Sequence, residues 1–138
     1  MVTEMIGLDT NVVVRLLLAD DRVQTQLAVK LLKTAQAQGT LVVLTLEVVQ
    51  EIEWVLRSSA KKTKLEFLGL ARQLLEARDV QIDNEAVLEQ ALRTYEKSSA
   101  DFSECLFLAH YQRLGCRAML TFDAKAARME GVEWVGSA

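Results

Sequence analysis

Five acidic residues sit where their carboxylates could act together: Asp9, Glu51, Asp101, Glu104 and Asp123. Grouped carboxylates repel one another. Two unit charges roughly 4 Å apart cost about 4 kcal/mol at an effective dielectric of about 20. Such a cluster is tolerable mainly when a divalent cation binds it. A donor set of oxygens alone, with no His or Cys, selects Mg2+ or Mn2+. Those ions orient a phosphate, generate hydroxide from water and stabilise a leaving oxygen. The chemistry to expect is metal-assisted hydrolysis of a phosphodiester.

Each acid also has a plainer use. Asp9 and Asp123 follow apolar, strand-like runs, EMIGL and AMLTF. An Asp in that place often caps the following helix. Taken together, the two mark the carboxyl edge of an α/β sheet, where ligands bind. Glu47 falls in the first turn of a helix, where a carboxylate favours the dipole, and it shares a polar stripe with Gln50 and Arg57. Glu51 has Val48 and Val55 as its turn neighbours. An acid bordering an apolar face needs a partner, and a cation is one such partner. Glu53 has Arg57 four residues on and reads as a solvated face. Asp101 and Glu104 are three apart, on one face at a helix start. Asp101 as N-cap with Glu104 as its capping-box partner is the alternative, although that motif prefers Ser or Thr at the cap.

The elements that must carry these acids follow from periodicity. Strands are expected at Glu4–Leu8, Leu41–Leu44, Val80–Ile82, Ala118–Phe122 and Val132–Val135. Helices are expected at Asn11–Leu18, from Asp20-Asp21 to about Gln38, at Leu46–Arg57, at Lys64–Ala77, from Asp83 or Asn84 to Lys97, and from Asp101 to Gly115. The second helix repeats apolar residues at Leu27, Leu31 and Ala35, and the fourth at Leu65, Leu68, Ala71 and Leu75. The helix opened by Asp101 is apolar most of the way round and should be largely buried. Gly39 is a plausible helix C-cap. Strands alternating with about six helices predict an α/β fold, a three-layer α/β/α arrangement around a central parallel sheet of about five strands.

Composition sets the outer limits. The 138 residues suit one domain, 1–138, with a core that needs no staples. No apolar run reaches the roughly 18 residues of a membrane span. Met1–Gly7 has no basic region and does not read as a signal peptide, so the cytoplasm is the expected compartment. Cys105 and Cys116 read as free thiols, and with only His110 beside them a structural zinc site is improbable. The net charge of −3 argues against a protein that simply coats nucleic acid.

The order Asp9-Thr10-Asn11, Glu51 three residues before Trp54, Ala100-Asp101-Phe102 and Thr121-Phe122-Asp123 resembles a PIN domain. Within that family it is similar to the VapC-type toxin ribonucleases of bacterial toxin–antitoxin modules. The resemblance spans the whole chain. It implies a parallel sheet between helices, Mg2+ or Mn2+ dependence, endonucleolytic cleavage of RNA, a homodimer and inhibition by an antitoxin protein. By position Asp9 corresponds to the family's first acid, Glu51 to its second and Asp123 to the acid after the fourth strand. The third acid departs. The family commonly reads Asp-Phe-x-Asp-Ala-Leu, and here Glu104 stands at the second aspartate, with Asp101 intact.

Several neighbours have two readings. Thr10 and Asn11 could hydrogen-bond Asp9 or cap its helix. Arg15 reads as a solvated helix charge sooner than a phosphate contact, and Lys61-Lys62-x-Lys64 as a polar loop sooner than an RNA-steering patch. His110 reads as a packed or edge histidine, not a base. Phosphatases of the haloacid-dehalogenase type want an acid at position 11, which is Asn, and receiver domains want adjacent acids after the first strand. A non-catalytic interaction module on the same scaffold is the remaining rival, with Glu104 its best support.

Overall fold

A computed structural model describes residues 3–136. The terminal residues of the expected domain and of the N-terminal leader reading, at positions 1, 2, 137 and 138, lie outside the described residues. The contacts divide the chain into two compact units, Met1–Glu85 and Ala86–Ala138. The element order is β1 (Met5–Gly7), α1 (Thr10–Leu18), α2 (Arg22–Gln38), β2 (Leu41–Leu44), α3 (Leu46–Ser58), α4 (Lys64–Glu76), β3 (Gln81–Ile82), α5 (Glu85–Lys97), α6 (Phe102–Leu114), β4 (Met119–Thr121), a 3-10 turn (Ala126–Arg128) and β5 (Val132–Trp134). Among the described residues five strands and six α-helices occur, with a pair of helices between each of the first four strands.

In the first unit β1, β2 and β3 form a parallel sheet in that order. Each crossover passes through two helices, which is how parallel neighbours are joined. Val42 and Leu44 point into the core with Leu8 and Ile82, all buried. In the second unit β4 pairs with β5, again parallel, with Thr121 beside Trp134. The expected five strands are therefore present, but their hydrogen bonds make ladders of three and two among the described residues. Apolar runs locate strands, whereas the pairing of strands is decided by chain far away in sequence.

The helix ends are built locally. Asp9, Asp21, Thr45 and Thr63 cap α1 to α4, each accepting from a backbone N–H of the first turn. Gly39 and Gly115 close α2 and α6 in the left-handed conformation that a Cβ disfavours. The inward faces differ from the expected stripes. On α2 the buried residues are Ala28 and Ala35, while Leu27 and Leu31 are 62% and 41% exposed. On α4 the buried set is Phe67, Leu68, Ala71 and Leu74, and Leu65 faces solvent. An apolar stripe broad enough to offer two registers lets packing choose between them. α6 is buried through Phe102, Cys105, Leu106, Leu108 and Ala109, and Phe107 lies outside. Both cysteines are free, Cys105 in the core and Cys116 at the surface. Among the described residues no helix is long and apolar enough to cross a membrane.

Candidate active site

Asp9 follows β1 as the N-cap of α1, in extended conformation, and its Oδ1 accepts from the Thr10 amide at 2.7 Å. Thr10 is buried and Asp9 exposed. The capping use weighed for Asp9 is present, and it engages one oxygen of a carboxylate that has lone pairs to spare.

Helix α3 buries Leu46, Val49, Ile52, Glu53 and Leu56. Glu51 is exposed between the half-buried Val48 and Val55, on the outward face with Glu47 and Trp54. It borders the apolar face from the solvent side. Glu53 overturns its reading as a solvated charge. It is only 4% exposed, and its Oε2 accepts from Arg57 Nε at 2.9 Å. The physical reason is register. Glu53 follows Ile52 on the inward face, and the exposed Arg57 lies over it as the partner a buried carboxylate requires.

The second unit holds three of the acids. Asp101 is the N-cap of α6 by backbone conformation, yet its side chain makes no cap hydrogen bond. The capping box that Asp101 and Glu104 could have formed is absent. Glu104 is half-buried in the first turn. Burial pushes its carboxyl above the usual range, and the charges of Asp123 and then Asp101 push it the same way. The three carboxylates are therefore close enough to feel one another. Asp123 follows β4. Its Oδ1 accepts from the amides of Lys125 and Ala126 at 2.8 and 3.3 Å, and its own amide donates to Thr121 Oγ1 at 3.0 Å. The residue is held from both sides. Thr121 and the 125–126 amides are positioning groups that a search for acids does not find; the Thr-x-Asp spacing is their only local signal.

The other candidates lie elsewhere on the helices and loops. Arg15 Nη1 pairs with Asp20 Oδ1 at 2.6 Å and is half-buried, not a solvated charge. Lys62 Nζ lies 3.5 Å from Glu66, so part of the basic run is used locally. His110 is exposed on α6, an edge histidine.

Among the described residues no group of three or more His, Cys, Asp or Glu side chains is gathered tightly enough to form a ready metal cage. The donor set of the second unit nevertheless suits a hard cation. All its donors are oxygens, the Asp101 carboxylate is not consumed by capping, and Glu104 carries uncompensated repulsion. Mg2+ keeps several waters of its own, so carboxylates can hold it through them without closing around it.

The model of the PIN domain family matches residues 6–132. PIN domains are generally nucleases, and typically use divalent metals. No curated protein matches the chain at a significant level. With the family's pattern running from β1 to the first residue of β5, the chain belongs to the PIN domain family.

Proposed function

We propose that the chain is an endoribonuclease dependent on Mg2+ or Mn2+, and the toxin of a toxin–antitoxin module acting in the cytoplasm. The observation that carries this reading is the start of α6. Two carboxylates spaced for a capping box leave the cap unmade, and the inner one is destabilised first by burial and then by its acidic neighbours Asp123 and Asp101. Helix stability does not explain such an arrangement, whereas a cation does. Asp9, Glu51, Asp101, Glu104 and Asp123 are the proposed metal-holding and catalytic residues of a single nuclease domain. When bound there, the metal supplies the activated water and screens the phosphate charge. The chain's own part is to fix the carboxylates. Asp123 is set by the Thr121 hydroxyl and two amides, Asp9 by the Thr10 amide, and Glu104 by the packing of α6.

The toxin assignment has support in the first unit. A groove of about 290 Å3 runs between α1 and α2, lined by Val12, Arg15, Gln24, Leu27 and Leu31. Exposed leucines in a groove suit the apolar face of a partner helix, and the buried Arg15 Nε has no hydrogen-bond partner among the described residues. An antitoxin helix carrying an acceptor would satisfy both, and a homodimer completes the proposed assembly. The second reading, a catalytically weak or inactive RNA- or protein-interaction module, draws on the longer Glu104 side chain.

Purified protein should cleave RNA with Mg2+ or Mn2+ and stop with a chelator. Asp9→Asn should slow cleavage by roughly a hundredfold or more, as expected for losing one key electrostatic contact worth ~3 kcal/mol. Full activity in Asp9→Asn removes the nuclease reading and leaves the interaction module.

A further inference from the structure

The second unit also contains an open pocket of about 640 Å3 that none of the five candidate acids lines. One wall is the end of α5 and the residues after it, Lys97, Ser98 and Ser99. The opposite wall is Arg128 to Gly131, and Gln112 of α6 lies between them. Lys97, Ser99, Gln112 and Arg128 bring hydrogen-bond donors to its lining. Neither Lys97 nor Arg128 belongs to an ion pair among the described residues. Gln112 Oε1 accepts from Gln90, which leaves its amide hydrogens available. Gln112 Nε2 packs against Gly131, where a Cβ would stand only 2.8 Å from it, so the glycine makes room for this amide in the pocket wall. Against the two cations there is one acid in the lining, Glu130. A net positive pocket on a chain of charge −3 is a local departure that suits an anion.

Both walls lead to the candidate site. Ser99 is two residues before Asp101, a span of about 7 Å at most. Arg128 ends the 3-10 turn that starts beyond Asp123, and the Ala127 amide donates to the Asp123 carbonyl at 3.0 Å. A strand seated in the pocket is thereby led to the carboxylates.

We propose that this pocket is a subsite for single-stranded RNA, in which Lys97 and Arg128 hold a backbone phosphate and Ser99 and Gln112 donate to the same nucleotide. The proposal rests on the ribonuclease reading for its choice of ligand. It places the cations where an acidic protein needs them, beside repelling carboxylates and not among them. Point charges on a phosphate give affinity and register with no base preference.

Binding can be tested without cleavage. A short fluorescently labelled oligouridylate is titrated with the full chain in a chelator, and anisotropy is followed over a range of salt. Lys97→Gln and Arg128→Gln should each weaken binding by roughly tenfold at low salt and reduce the salt slope by about 0.7 per cation. Ser99→Trp leaves both charges and fills the pocket, and should weaken binding as much. Circular dichroism checks that these surface variants are folded. Unchanged affinity in the two charge variants, or in folded Ser99→Trp, overturns the subsite. Binding lost in the variants while wild type cuts no RNA supports the pocket and removes the nuclease reading. Wild-type cleavage with unaltered variant binding does the reverse.

Discussion

Two helices in this chain begin with the same spacing and end up chemically opposite. At α4, Thr63 caps the Glu66 amide and Glu66 reaches back to the Thr63 amide, a complete capping box. Those bonds, with Lys62 adding attraction, hold the Glu66 carboxyl below its usual range. At α6, Asp101 and Glu104 repeat the spacing without making the cap, and Glu104 is pushed up by burial, Asp123 and Asp101. Glu66 is exposed and satisfied; Glu104 is half-buried and repelled. The difference separates a carboxylate whose work is done within its helix from one left repelled, which the proposed metal site would put to use.

The largest test of that contrast is catalytic. Glu104→Gln should reduce cleavage by roughly a hundredfold, the scale of one lost electrostatic contact, and should weaken Mg2+ affinity alongside. Glu104→Asp should retain activity or raise it, because the shorter side chain has one torsion fewer to freeze. Glu66→Gln should leave cleavage where it was. Gln also serves in a capping box, so wild-type rate and metal affinity in Glu104→Gln would show that α6 is only a second helix start.

A smaller effect reverses the order of the two helices. Thr63→Ala removes a cap that is made and should cost about 1 kcal/mol, a fall in Tm of roughly 3 °C for a chain of this size. Asp101→Asn removes no cap bond and relieves repulsion on Glu104, so its Tm should move less than that of Thr63→Ala. Thermal melts of the pair without metal decide it, and a larger loss in Asp101→Asn would mean that Asp101 does stabilise its helix.

The smallest effect is in pH dependence, and the signs differ. Glu104 has a folded pKa above its unfolded value, so the folded state holds its proton longer. Its penalty is absent at pH below the ordinary glutamate range and grows as pH rises through that range and the raised folded pKa. Glu66 has a lowered folded pKa. Its contribution is present above the ordinary range and is lost as pH falls through the folded value. In chelator, Glu104→Gln should therefore gain stability relative to wild type as pH rises toward neutrality, while Glu66→Gln should lose it. Parallel stability curves for the two variants would erase the distinction between the helix starts.

The sequence by itself determined what short-range interactions decide. The glycines that end α2 and α6, the Asp that follows β1 and the one that follows β4, and the alternation of strands with helices were all legible, because a cap or a turn is settled within about four residues. The acids themselves were legible as residue types at sheet edges and helix starts, and so was the family pattern over 6–132. Tertiary structure decided whatever needs a distant neighbour. It turned Glu53 inward under Arg57 and left Glu51 outside, although both sit on one helix two residues apart. Of the Leu27, Leu31 and Ala35 stripe it buried only Ala35, adding Ala28 in place of the two leucines, and it paired the five strands as three and two. It also set Asp123 near enough to repel Glu104, nineteen positions earlier in the chain. Burial and Coulomb repulsion depend on distance through space, and no spacing along the chain encodes the distance between a helix start and the end of a strand that follows it.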